Sequence, residues 1–244
     1  MSIEQIREFY ITGKPIKTDF GDVRFLSYDE YLENIQYLNV MSFNTLHIYY
    51  QYRKMFADEA IDEELEKSLE VLKHERLIDI VLSREDIRDA YEKIFELVLD
   101  KDIIPQIFED ENLFKLYREL VLDMQIIAES EVNPNPEIQE YIDASKEIKQ
   151  QESEKQSFGD ILSSIVVGAG LTYKEVLEMT VFQVYSTFHR ISRMKAYDTS
   201  TLFATVPSDK KTEIESWAKH VNLFENEKAG MKMTEFNKKY GKLF

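Results

Sequence analysis

The chain has very little glycine, 7 residues in 244, and none at all between Gly21 and Gly159. Phosphate-binding loops, Rossmann fingerprints and tight hairpins need glycine where the backbone takes a positive φ or approaches a ligand closely. The interval without glycine therefore excludes these structural motifs from more than half of the chain. The same interval has only three prolines, Pro105, Pro134 and Pro136, which favours one helix after another.

Cysteine is absent, which excludes structural disulfides, thiolate zinc sites and a catalytic cysteine. The sequence also lacks a run of 18 apolar residues, so we expect no membrane-spanning helix. The first residues, MSIEQIREFY, show no basic region followed by an apolar stretch, so we expect no secretion signal. We expect a cytoplasmic location on these grounds.

Sequence motifs for catalysis and metal binding are missing as well. The four histidines have no His-x-x-x-His spacing, and neither Gly-x-Ser-x-Gly nor His-Glu-x-x-His occurs. We therefore expect no enzyme activity, no catalytic residue, no cofactor and no metal site.

Two short segments have alternative interpretations. The acids Glu109, Asp110 and Glu111 either bind a hard cation or favour the N-terminus of a helix. The aromatic and basic run from Tyr49 to Lys54 is either a stacking platform for nucleic acid or a packed helix face. Helical spacing of the aromatic residues and acidic surroundings favour packing.

Charged residues are distributed unevenly along the chain. Residues 1–156 have 36 acidic and 18 basic side chains, a balance of −18, whereas residues 157–244 have 10 acidic and 12 basic ones, a balance of +2. Because the acidic part repels phosphate, we expect neither a nucleic-acid partner nor a membrane partner. That part is either a solvated surface that keeps the protein soluble or a surface that binds a basic protein.

Apolar residues at 3.6-residue spacing dominate the chain and predict a mostly α, multi-helical fold. The exception is residues 14–27, where alternating β-branched and polar residues surround Asp-Phe-Gly-Asp and predict one small N-terminal β-hairpin. The helix from Thr180 is expected to run through Lys195, and a next apolar segment, 202–206, to end at Pro207. The residues expected to begin helices are Ser2, Ser27 (or Asp29), Ser83, Thr172 and Thr180.

Eight consecutive polar residues at 149–156 predict a linker or an exposed helix tail, at the point where the charge balance changes. We therefore expect a chain in two parts. Residues 1–156 form an acidic helical domain with the hairpin, and residues 157–244 form a smaller, near-neutral helical C-terminal module.

The second part contains a short capped helix from Thr172, a longer helix from Thr180 and a segment around the only tryptophan, Trp217. This pattern resembles the C-terminal region of tail assembly chaperones from long-tailed bacteriophages, in which a similar two-helix unit precedes a Trp segment. The closing stretch, 233–241, is similar to phage tail proteins of Gram-positive hosts. The resemblance covers about the last 90 residues and, more faintly, residues 23–54.

The resemblance implies a noncatalytic chaperone that keeps the tape measure protein soluble and helps recruit tail tube subunits around it. A homo-oligomer is compatible with the sequence. The residues expected to form an apolar contact surface, or alternatively the core of the second part, are Tyr173, Val176, Phe182, Tyr185, Trp217, Leu223 and Phe224. Trp217 is the residue most strongly expected to be exposed. Two other functions stay open: a helical adaptor or acidic mimic that binds a basic protein, and an enzyme with an unrecognised helical site.

Overall fold

The computed structural model describes residues 6–56, 63–130, 157–206 and 214–224, with short pieces between 132 and 145. Within these residues the mostly α fold with one small hairpin is confirmed. A 3₁₀ turn at Tyr10–Thr12 precedes the hairpin. The α-helices, in chain order, are α1 Tyr28–Met41, α2 Thr45–Met55, α3 Glu63–His74, α4 Leu77–Ser83, α5 Glu85–Val98, α6 Ile104–Glu109, α7 Glu111–Met124, α8 Phe158–Ala169, α9 Tyr173–Glu178 and α10 Val181–Ala204.

The hairpin consists of β1, Ile16–Thr18, and β2, Gly21–Val23, paired antiparallel. Gly21 has a φ of 131°, and a Cβ atom at this position would lie 2.8 Å from the Ile103 side chain. Glycine is therefore required here by both conformation and space. The alternation and the turn residues were sufficient to predict this element because both are local signals.

Most predicted helix starts are confirmed by their caps. The side chains of Ser27, Thr172 and Thr180 each accept a hydrogen bond from the backbone N–H three residues later. In return, the side chain at that later position accepts a hydrogen bond from the backbone N–H of the capping residue. Such reciprocal capping boxes satisfy two of the free donors at a helix start. Ser157 begins α8 in the same way. Ser2 lies outside the described residues.

Two helix boundaries differ from the predictions. Ser83 does not cap a helix; it is the last residue of α4 and donates a hydrogen bond to the carbonyl of Ile80. The apolar segment 202–206 is not a separate element, because α10 continues without a break to Ala204. The continuous helix has 24 residues, which corresponds to about 36 Å at 1.5 Å per residue.

The second part of the chain packs directly on the first. The backbone N–H of Tyr28 donates to Met179 O at 2.7 Å, and the Gln183 side chain donates to Ile11 O at 2.9 Å. Fully buried apolar side chains from both parts belong to one core, among them Leu26 and Val184. The division at about residue 156 stays a prediction, since residues 149–156 lie outside the described residues.

A buried arginine ties together the helices of the first part. Arg118 of α7 donates to the carbonyls of Met41 and Phe43, at 3.0 and 3.1 Å, at the end of α1. It also donates to the Tyr91 hydroxyl at 3.0 Å and forms an ion pair with Glu129. Burial raises the pKa of Tyr91 to about 12, so this hydroxyl stays neutral. Because the free carbonyls at the end of α1 have a charged donor, the helix end is satisfied inside the protein.

Candidate partner-binding groove

An open groove lies between the 3₁₀ turn near the N-terminus, the first half of α10 and residues 220–224. It has a volume of about 770 Å³. Its apolar lining includes Ile11, Phe182 and Leu223, and its polar lining includes Glu8 and Arg190. Ile11 is 54% exposed although it is apolar, so the groove presents uncovered apolar surface to solvent.

Phe224 forms one wall of the groove and is held by three other residues. Its ring stacks on Phe182 with centroids 6.0 Å apart, and meets the ring of Tyr10 edge-on at 6.1 Å. The Arg7 guanidinium lies over the other side of the ring, 3.7 Å from the centroid. Aromatic pairs and cation–π contacts of this kind each contribute about 0.5–1 kcal/mol or more.

Asp123 of α7 fixes the two residues that hold Phe224 from the N-terminal side. It accepts hydrogen bonds from Arg7 Nε at 3.2 Å and from the Tyr10 hydroxyl at 2.9 Å. Burial, and then the negative charge of Asp123, raises the pKa of Tyr10 far above its ordinary value. Tyr10 therefore remains a neutral hydrogen-bond donor, and the wall around Phe224 has a defined geometry.

Residues 214–224, which we call the strap, lie along one side of α10. Arg190 donates to the carbonyls of Trp217 and Lys219, and Arg193 donates to Lys219 O at 3.3 Å. These hydrogen bonds are exposed to solvent, where each is worth little net free energy. The strap is therefore fixed mainly at its end, through Phe224.

Residues 4–134 match the family model described as the YomV N-terminal domain, and residues 149–222 match the one described as the YomV second domain. The chain is 35% identical over 227 residues, 92% of each chain, to an SPbeta prophage-derived protein, YomV, of Bacillus subtilis (strain 168). The chain belongs to the YomV family. No solved structure matches it.

The groove lies where the two YomV domains meet. Arg7 and Ile11 are within the segment that matches the YomV N-terminal domain, whereas Phe182 and Arg190 are within the segment that matches the second domain. Groove formation therefore requires both domains to be packed together as they are in this structure.

The structure brings together three of the residues predicted to form a contact surface, Phe182, Leu223 and Phe224. Trp217 lies in the strap, and its exposure, predicted from the sequence, is confirmed at 43%. Tyr173 is exposed on α9 but does not line the groove of this YomV-family protein.

Two other residues of the predicted contact surface pack in the interior. Val176 is fully buried in the core, so its assignment to a contact surface is wrong. Tyr185 is half-buried, meets the ring of Tyr28 at 6.5 Å, and has a pKa raised by burial. Periodicity placed both residues on an apolar helix face, and the rest of the protein covers that face.

Sequence reasoning did not find Arg7, Ile11 and Arg190 as groove residues. Arg7 is 116 positions away from its ion-pair partner Asp123, so no local pattern links the two. Arg190 resembles an ordinary cation late in a helix. Only the three-dimensional packing of the YomV second domain on the first identifies these residues.

The acidic and aromatic segments with alternative interpretations both have structural roles. Asp110 caps α7 by accepting hydrogen bonds from Asn112 and Leu113, and Glu111 pairs with Arg76. Tyr49 is buried and accepts a hydrogen bond from Arg53, which agrees with the packing interpretation.

The described residues contain neither a candidate metal site nor a candidate membrane span. In these residues of the YomV-family chain, no group of three or more His, Cys, Asp or Glu side chains is arranged to hold a metal ion. Among them too, no helix combines the length and the apolar character that crossing a membrane requires.

Proposed function

We propose that this protein is a noncatalytic tail assembly chaperone of a phage or prophage, acting in the cytoplasm of the bacterial host. Its client is the long, helical tape measure protein, which it keeps soluble while tail tube subunits assemble. The similarity to an SPbeta prophage-derived protein supports a phage setting. The resemblance of the second part to tail assembly chaperones supports the role.

The groove is the observation that carries this proposal. An amphipathic helix binds a partner by inserting the apolar side chains of one face into such a groove. The exposed side chain of Ile11 and the ring of Phe182 provide apolar contacts, and Glu8 and Arg190 provide a polar rim that orients the client.

The charge distribution is compatible with this role. Residues 1–156 have a net charge of −18, and among the described acidic residues only Glu8 lines the groove. A strongly charged surface keeps a complex soluble through mutual repulsion between copies. An apolar client would therefore be carried on a protein that resists aggregation.

The test is co-purification of the tape measure protein encoded in the same phage or prophage, co-expressed with the full chain. We expect wild-type protein to keep the client soluble and Ile11→Glu to lose it, because a charge would enter the apolar groove. Val71→Glu is the matched control, since Val71 is 68% exposed on α3 and does not line the groove. Equal capture by both variants would contradict the proposed site.

Trp217→Ala gives an independent measurement in the strap, whose residues 220–224 line the groove. A tryptophan at the centre of an interface contributes about 2 kcal/mol or more, roughly thirtyfold in affinity. Because Trp217 is 43% exposed, its removal should cost little stability. Normal client affinity together with a large loss of stability would show that Trp217 serves the fold alone.

A helical adaptor or acidic mimic is the second candidate, favoured by the net charge of −18 on residues 1–156. Such a protein would bind a basic partner with an affinity that falls steeply as salt rises. Its binding would be unaffected by Ile11→Glu. The two candidates are therefore distinguished by the same variant and a salt titration.

A further inference from the structure

The second half of α10 extends beyond the body of the protein with an apolar stripe uncovered. In the first half, Val181 and Val184 are fully buried on the face that packs against the body. The same face continues, at intervals of four or seven residues, through Ile191 and Lys195 to Leu202, and Val206 follows just beyond the last helical residue, Ala204. Leu202 and Val206 are 69% and 58% exposed.

The strap does not cover this stripe. It lies along the side of α10 that carries Phe182, Arg190 and Arg193. At 3.6 residues per turn, that side is roughly opposite the face of Leu202 and Val206. The exposed end of the stripe, Leu202 and Val206, therefore lies apart from the groove, which reaches along α10 as far as Ile191.

The stripe has a charge pattern that is complementary to itself. Lys195 and Asp198 lie in its middle, one turn apart, with apolar residues on either side. Neither forms an ion pair with another residue in the described part of the chain. If two copies of α10 pack antiparallel, with the two-fold axis between residues 196 and 197, each Lys195 faces the Asp198 of the other copy. A two-fold interface requires this reciprocity, in which residue i contacts j and j contacts i.

The same register places Leu202 of one copy against an apolar part of the other. Leu202 of one copy reaches the level of Ile191 in the other, where α8 ends. Gly168 of α8 lies so close to Ile191 that an added Cβ would be 2.7 Å from its side chain. The neighbouring Val167 is 85% exposed, which supplies an uncovered apolar contact for the incoming helix.

We propose that this stripe is the interface of a homodimer in which the second halves of two α10 helices pack antiparallel. The occupant of the stripe is a second copy of this chain. This inference does not depend on the proposed function, because the residues that its experiments change, namely Lys195, Asp198, Leu202 and Val206, do not line the groove.

The first experiment measures the mass of the full chain by light scattering and sedimentation over a range of concentrations. We expect a dimer for the wild type. The double variant Leu202→Glu/Val206→Glu should dissociate about hundredfold more readily, because it removes four apolar side chains from a symmetric interface. Ala204→Glu is the control, since Ala204 is exposed about 160° around the helix from Leu202 and should leave the dimer intact. A wild type that stays monomeric at all concentrations would overturn the proposal, as would a dimer that survives the double variant.

The second experiment tests the antiparallel register. Lys195→Asp and Asp198→Lys should each weaken their own homodimer about tenfold, because like charges would then face each other twice. Mixing the two variants should restore association as a heterodimer, in which opposite charges face each other again. Since each helix in the mixture keeps its own like-charged pair, restoration cannot arise within one chain. If the mixed variants associate no more tightly than either variant associates with itself, the register is wrong.

Discussion

Phe224→Ala should release the strap from the body while leaving the rest of the fold intact. The ring of Phe224 loses its stack on Phe182, its edge contact with Tyr10 and the guanidinium of Arg7. The half-buried ring contributes about 1 kcal/mol through burial, and the aromatic and cation–π contacts contribute about as much again. The equilibrium constant for strap docking should therefore fall roughly thirtyfold.

The effect of Phe224→Ala should be confined to the strap, because Tyr10 and Arg7 keep their hydrogen bonds to Asp123. Among the described residues, the strap would then be held by exposed hydrogen bonds from α10 and by the partly buried side chains of Val221 and Leu223. Trp217 is the only tryptophan, so its fluorescence reports the strap without labelling. We expect acrylamide quenching of Trp217 to increase in Phe224→Ala, and proteolysis within residues 214–224 to become faster.

Two control variants test whether the effect is specific to the loss of the Phe224 ring. Phe224→Tyr keeps the ring and should keep the strap in place. Phe203→Ala removes an equally large ring that is 62% exposed at the end of α10, and should leave Trp217 quenching unchanged. If Phe224→Ala instead lowers the melting temperature of the whole protein with no change in quenching, Phe224 is part of the global core and the strap is not a separate unit.

Elements encoded by short-range signals were predictable from the sequence. The hairpin turn depends on Gly21 and its immediate neighbours, and the caps at Ser27, Thr172 and Thr180 depend on residues three positions apart. Each of these features is decided by a few consecutive residues, so its pattern survives whatever packs around it.

Features that depend on distant residues were not predictable. The ion pair of Arg7 with Asp123 builds the groove, yet nothing near either residue marks it. Helix α4 was missed because its seven residues include three buried apolar ones, too few to show a helical period. Val176 could be assigned either to a contact surface or to the core, because a six-residue helix shows an apolar face without showing what covers it.

The length of α10 links the groove to the apolar stripe. A helix that ended near Lys195, as the sequence predicted, would still carry Phe182 and Arg190 and would still form the groove. Its continuation to Ala204 adds Leu202 and, just beyond it, Val206, which contact nothing in the groove. One helix thus carries the proposed client groove near its start and the proposed self-association stripe near its end.

Two further predictions concern glycines of α8 and a capping acid of α1. Gly168→Ala should lower the melting temperature, because the new Cβ would lie 2.7 Å from an isoleucine side chain of α10, whereas Gly159→Ala, with 3.6 Å to its nearest neighbour, should raise it slightly through helix propensity. If the melting temperature rises in both variants, α8 and α10 can move apart at little cost. Glu30→Gln should remove part of the pH dependence of stability. Hydrogen bonds from Arg24 hold the pKa of Glu30 below its ordinary value, so the ionised form stabilises the fold above the ordinary pKa, and this stability is lost as the pH falls through the lowered pKa. The melting temperatures of wild type and Glu30→Gln should therefore differ near neutral pH and converge in acid, whereas Glu33→Gln, an exposed change on the same helix, should follow the wild type throughout. A constant difference between wild type and Glu30→Gln across this range would mean that Glu30 acts through its shape and not through its charge.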